Sequence, residues 1–241
     1  MQNNKIQQNI ELLQWFYRFL NIWKFLEKVI QQKDFSDLAV DSPVATWDKK
    51  NFVLKWAVVK KILSDIYANP GKKNIFGYMV EINSFRWIFS ITREMIDTQK
   101  DFQIFLDKKL KDKSFAFEQV IRFLRNVLNH IENADVMLKI EDFVKQKDFI
   151  LKEKKLSIIS FDIKYADYFV EWKWGKNYGL DIKIDFSKLK EWQKVFDVVP
   201  LHQVYLLAEF CFNLSEIFRS VMRVGEKKTA KKFKSKFQRR K

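Results

Sequence analysis

The chain has 241 residues, 47% of them hydrophobic and 24 of them Phe, so it can bury a dense aromatic core. Five Gly and three Pro are too few for a many-turned β-sandwich, and the single Cys211 excludes both an internal disulfide and a cysteine zinc knuckle. The net charge of +15 is uneven: nine Lys/Arg and one Glu fall in residues 226–241, leaving +7 for residues 1–225.

The first residues, MQNNKIQQNIELLQ, lack a basic segment followed by an apolar one, and no stretch reaches the roughly 18 apolar residues of a membrane span. A cytoplasmic protein is expected. Residues 6–32 read as a long helix, apolar around much of its circumference and therefore in need of several packing partners. Residues 34–50 are polar, carry Pro43 and read as a connection. NFVLKWAVVKKILSDIYA (51–68) reads as a second helix, stopped at Asn69-Pro70-Gly71. A third helical region runs from about Phe76 to Leu110, with room for a break near Thr98. Ser114 is a candidate N-cap for the helix that follows.

After Asp148 the period changes to two. Phe161, Ile163 and Tyr165 alternate with Asp162 and Lys164, and Leu180, Ile182, Ile184 and Phe186 alternate with Asp181, Lys183 and Asp185. With YFVEWKW as a middle strand, these segments predict a small antiparallel β-meander inserted at about residues 150–187. Helical periodicity resumes at Pro200 and continues to about Val224. Cys211, in LLAEFCFNL, reads as a buried small hydrophobe. The expected fold is mainly α, a helical bundle over residues 1–225 with the meander before its last helix.

The basic tail, residues 226–241, reads as a solvated, disordered extension. Its Lys227, Lys228, Lys231, Lys232, Arg239 and Arg240 also suit RNA phosphates, and Phe233 and Phe237, four apart, suit a membrane surface.

Placed on a helix, residues 117–134 sort into two arcs. Phe117, Val120, Ile121, Phe123, Leu124, Val127, Leu128, Ile131 and Ala134 form the apolar one. Arg122, Arg125, Asn126, Asn129, His130 and Asn133 share the other. In so lysine-rich a chain a solvated stripe should carry Lys and Glu in i,i+4 pairs, yet this one has no Lys, and Asn is a poor helix former that needs a partner for its amide. The stripe therefore meets something polar: another subunit, a ligand, or both. Chemically, Arg with His can cleave RNA without a metal. The 2′-hydroxyl is the nucleophile, His moves protons and the guanidinium holds the scissile phosphate.

The run Arg125-Asn126-Val127-Leu128-Asn129-His130 resembles the signature of HEPN-domain ribonucleases, in which an Arg, commonly followed by Asn, His or Asp, precedes a His by a short helical spacing. The resemblance implies a helical bundle in which Arg125 binds phosphate, His130 is the acid/base and Asn126 orients them. It implies no cofactor. Such domains pair two motifs in one cleft, so a single motif per chain implies a homodimer through this helix. It also implies a setting in antiphage defence, abortive infection or a toxin–antitoxin pair, with an antitoxin or regulatory partner. One subgroup carries a Tyr two residues after the His, where Glu132 stands here. The alternative is a non-catalytic RNA- or protein-binding module on the same face.

Among other candidates, His202 at a helix start reads as a capping or core histidine. Arg86 and Arg93, seven apart, either extend an RNA-binding face or are solvated. Trp172, Trp174 and Tyr178 either stack unpaired bases or, as favoured here, pack in the core.

Overall fold

The computed structural model describes residues 2–31, 42–47, 50–54, 61, 68, 70–129, 136–164, 167 and 179–238. Side-chain surroundings are described chiefly over 5–22, 78–129, 136–164 and 179–222. The fold is mainly helical, with a two-stranded antiparallel sheet before the final helix. In chain order the elements are α1 (Gln2–Gln31), β1 (Ser42–Trp47), β2 (Lys50–Leu54), α2 (Pro70–Thr98), α3 (Lys100–Leu110) and α4 (Ser114–Asn129). They continue with α5 (Ile140–Asp148), extended by a π-helical turn over Phe149–Glu153, then β3 (Ile158–Lys164), β4 (Gly179–Asp185), a single turn α6 (Val195–Val198) and α7 (Leu201–Gln238). The chain clusters into two compact units, residues 1–17 with 84–241 and residues 18–83, in place of the single domain expected over 1–225.

The larger unit is built on α4. Its Phe117, Val120, Ile121, Phe123, Leu124, Val127 and Leu128 are all buried, as the helical period requires. The Phe117, Phe161 and Phe210 rings meet pairwise at 5.4–5.8 Å between centroids, joining α4, β3 and α7 in one aromatic knot. Tyr205 meets Phe85 edge-on at 4.8 Å and Phe218 meets Phe102 at 5.1 Å, so α7 also packs on α2 and α3. Cys211 is buried there, and burial pushes its thiol up to about 12.

In the sheet, Ile159, Phe161 and Ile163 of β3 face inward beside Ile184, Ile182 and Leu180 of β4, the alternation read from the sequence. Gly179 opens β4 opposite Lys164, where a Cβ would lie 2.5 Å from the Ile163 carbonyl oxygen. Residues 168–178, which include the expected middle strand, Trp172, Trp174 and Tyr178, lie outside the described residues.

The α2–α3 break falls at Gln99, next to the expected Thr98. Gln99 is extended (φ −117°, ψ 92°), and its carbonyl accepts from the Phe102 and Gln103 amides to start α3. Three local expectations change. Residues 42–47 and 50–54 pair as antiparallel strands, Trp47 with Lys50 and Ala45 with Phe52, where a connection and the start of a helix were expected; most of the rest of that expected helix, 55–60 and 62–67, lies outside the described residues. A run such as NFVL suits either structure, and a pairing partner outside the run settles it. Ser114 does not cap α4: it is itself helical (φ −56°, ψ −48°), and its hydroxyl donates to Asp107 Oδ1 at 2.7 Å. Finally, α7 continues to Gln238, so residues 226–238 are helical where composition predicts a disordered tail. After Gly225 that run holds Lys, Ala and Gln, good helix formers, and no proline.

Candidate active site

The polar arc of α4 finds partners inside the chain. Gln146 of α5 donates through Nε2 to the Gln119 carbonyl at 2.8 Å and to Gln119 Oε1 at 3.1 Å, both residues being buried. Two turns further along α4, Asn126 Nδ2 donates to the Asp142 carbonyl at 3.2 Å. These amide ties fix α5 along one side of α4. On the other side Arg86 Nε of α2 donates to Asn129 Oδ1 at 2.9 Å. Of the stripe's asparagines, Asn126 and Asn129 have the partners expected of them, while Asn133 lies outside the described residues; α2, α4 and α5 are thereby held as three walls.

Between those walls lies an open pocket of about 580 Å³. Arg93 enters from α2, Arg122 and Arg125 from α4, and Lys145 from α5. Glu94 and Asp97 line the same space, so four cations face two carboxylates. Arg93 is largely enclosed: its side chain is 13% exposed and paired with Asp97. Its Nη1 is buried with no hydrogen-bond partner among the described residues, an open donor that an anion would satisfy. Arg125 is exposed and donates through Nη1 to Asn126 Oδ1 at 3.1 Å. Asn126 thus accepts from Arg125 while donating to α5, which orients the guanidinium.

Burial and then Arg93 push the Arg122 guanidinium below its ordinary value. Arg122 also lies over the Phe149 ring at 6.0 Å. Glu118, one turn before Arg122, is pushed up by burial, against the pull of Arg93. Asp97 and Glu118 offset part of that effect on Arg122, and Asp97 is also the ion-pair partner of Arg93. Forked, permanently charged donors suit phosphate oxygens. Among the described residues no group of three or more His, Cys, Asp or Glu is placed to hold a metal ion.

The site residues read from the sequence divide as follows. Arg122, Arg125 and Asn126 line the pocket, while Asn129 sits one turn beyond, engaged by Arg86. His130 follows the last residue of α4 and lies outside the described residues, as do Arg239, Arg240 and the side chains of Lys227, Lys228, Lys231 and Lys232. His202 is exposed on the first turn of α7, with its Nε2 3.2 Å from Gln203 Nε2, so it is not a core residue. Arg93 belongs to the pocket, whereas Arg86 is used in fastening Asn129. Lys145 was not singled out from the sequence. It adjoins the buried Gln146, but only the α4–α5 crossing reveals that position.

Comparison with known protein families, curated proteins and solved structures finds no match to this chain.

Proposed function

We propose that this protein is a metal-independent endoribonuclease of HEPN type, acting as a homodimer. The observation that carries the reading is the convergence of Arg93, Arg122, Arg125 and Lys145 on one pocket, beside the helix end that His130 directly follows. In this reading Arg125 holds the scissile phosphate, fixed in orientation by Asn126. Arg93 and Lys145 add positive charge for the phosphorane that forms. The RNA 2′-oxygen bonds to phosphorus, its proton passes to a base, and the bond to the 5′-oxygen breaks as that oxygen takes up a proton. The products are a 2′,3′-cyclic phosphate and a 5′-hydroxyl. His130 carries the protons, and a second copy completes the cleft, because one chain supplies one Arg–His pair. The setting we propose, from the resemblance to HEPN ribonucleases, is antiphage defence or a toxin–antitoxin pair.

The alternative, a module that binds RNA or protein without cutting, draws support from Glu94 and Asp97, which offset part of the pocket's charge. Incubation of the purified protein with single-stranded and structured RNA, with and without EDTA, separates the two. Cleavage that resists EDTA and is lost in Arg125→Ala and His130→Ala supports the enzyme. Undiminished cleavage by His130→Ala overturns the mechanism, and salt-sensitive RNA retention without cleavage favours the binding module.

A further inference from the structure

The connection between β4 and α6 carries Trp192, which is 66% exposed and has φ of 61°. Left-handed backbone suits glycine, and in a bulky residue it is an outlier held only where the surroundings impose it. Here they do. The Trp192 amide donates to the Leu138 carbonyl at 2.9 Å, the Leu138 amide to the Gln193 carbonyl at 2.9 Å, and the Val195 amide to the Val136 carbonyl at 2.9 Å. Below, buried Leu189 is pinned by Lys147 Nζ on its carbonyl at 3.2 Å. The loop is therefore rigid, and it bears a conformational cost while leaving its largest side chain in solvent. Packing does not account for the indole.

An open hollow of about 610 Å³ adjoins that ring, lined also by Lys188, Lys190 and Glu191. Lys188 pairs with Asp185 at 3.2 Å, and Lys190 is exposed. An exposed indole carried on a pinned backbone beside lysines fits a stacked base with its phosphates, because every base offers a π-face and every linkage a negative charge. From this geometry we infer that Trp192 is a stacking platform for an unpaired nucleobase of single-stranded RNA, with Lys188 and Lys190 on the adjoining phosphates. The inference rests on the proposed RNA reading, but not on cleavage.

The test uses the full-length protein and a short single strand of 2′-O-methyl RNA, which lacks the nucleophilic hydroxyl, with its duplex as control. Binding is followed by fluorescence anisotropy. Trp192→Ala should weaken single-strand binding ~5- to 150-fold, the span alanine substitution gives for one stacked base, with duplex binding unchanged. Trp192→Phe should keep part of the affinity. Trp192→Gly should lose as much as Trp192→Ala while its Tm stays at or above wild type, because glycine relieves the left-handed backbone. Equal single-strand binding by wild type, Trp192→Ala and Trp192→Gly overturns the platform, as does a lowered Tm in Trp192→Gly, which would make the indole a packing group. No binding by the wild type also overturns it and leaves the loop as a protein-facing surface. If the wild type cuts no RNA yet binds the strand through Trp192, the nuclease reading fails and the platform stands. If it cuts RNA but binding ignores Trp192, the reverse holds.

Discussion

The two faces of α4 are built by opposite rules. On one, Phe117, Val120, Phe123, Leu124 and Val127 disappear into an aromatic core whose parts interlock by shape. On the other, Arg122, Arg125 and Asn126 border open space, and directed hydrogen bonds orient Arg125 and Asn126. The first face should tolerate little change in volume and take little notice of pH or salt. The second should tolerate truncation without unfolding and respond strongly to charge. Substitutions along the same helix can break or sharpen that contrast.

The largest effect is expected from Phe117→Ala. Removing a fully buried ring from the junction with Phe161 and Phe210 should cost ~3–5 kcal/mol in chemical denaturation, enough to threaten the fold. Arg125→Ala should leave the denaturation midpoint near that of wild type, because the side chain is exposed, while lowering the cleavage rate ~100- to 1,000-fold. A midpoint shift as large as that of Phe117→Ala would erase the distinction between the faces.

A smaller loss is expected from Asn126→Ala, which removes the bond to the Asp142 carbonyl and the acceptor of Arg125. One hydrogen bond's worth of orientation is about a tenfold loss of rate, with KM changing less than kcat. The smallest effect belongs to Glu118→Gln. Burial favours the neutral carboxyl, so its folded-state value lies above the ordinary 4.5. Its stabilising share is complete below that value and is lost as pH rises through the folded one, where the half-buried carboxylate must ionise. Glutamine has no such titration. The variant should therefore match wild type in Tm at acid pH and move above it towards neutrality. A Tm difference that does not change with pH would remove Glu118 from the electrostatics of the pocket.

Local periodicity was enough to read α4, the inward residues of β3 and β4, the α2–α3 break and the burial of Cys211, because each depends on neighbours a few residues away. The 42–54 hairpin depends on cross-strand partners, and the apolar run 52–54 suits a helix equally well. Half of the candidate site was legible for the same reason: Arg122, Arg125 and Asn126 share one helix face. Arg93, which the sequence left with Arg86 as either RNA-binding or solvated, and Lys145, not read at all, join them through the crossing of α2 and α5 over α4, fixed by Gln146–Gln119 and Arg86–Asn129. Ser114 found Asp107 seven residues back instead of its own helix start. The backbone of Trp192 is set by Leu138, far away in sequence, and so was also beyond reach.

The chemistry of the cut ends tests the central claim most directly. RNA incubated with the wild-type protein in EDTA should yield fragments ending in 2′,3′-cyclic phosphate and beginning with 5′-hydroxyl, identified by mass spectrometry, with none from Arg125→Ala. Fragments carrying 3′-hydroxyl and 5′-phosphate ends would mean that water, not the 2′-oxygen, attacks phosphorus, and would contradict it.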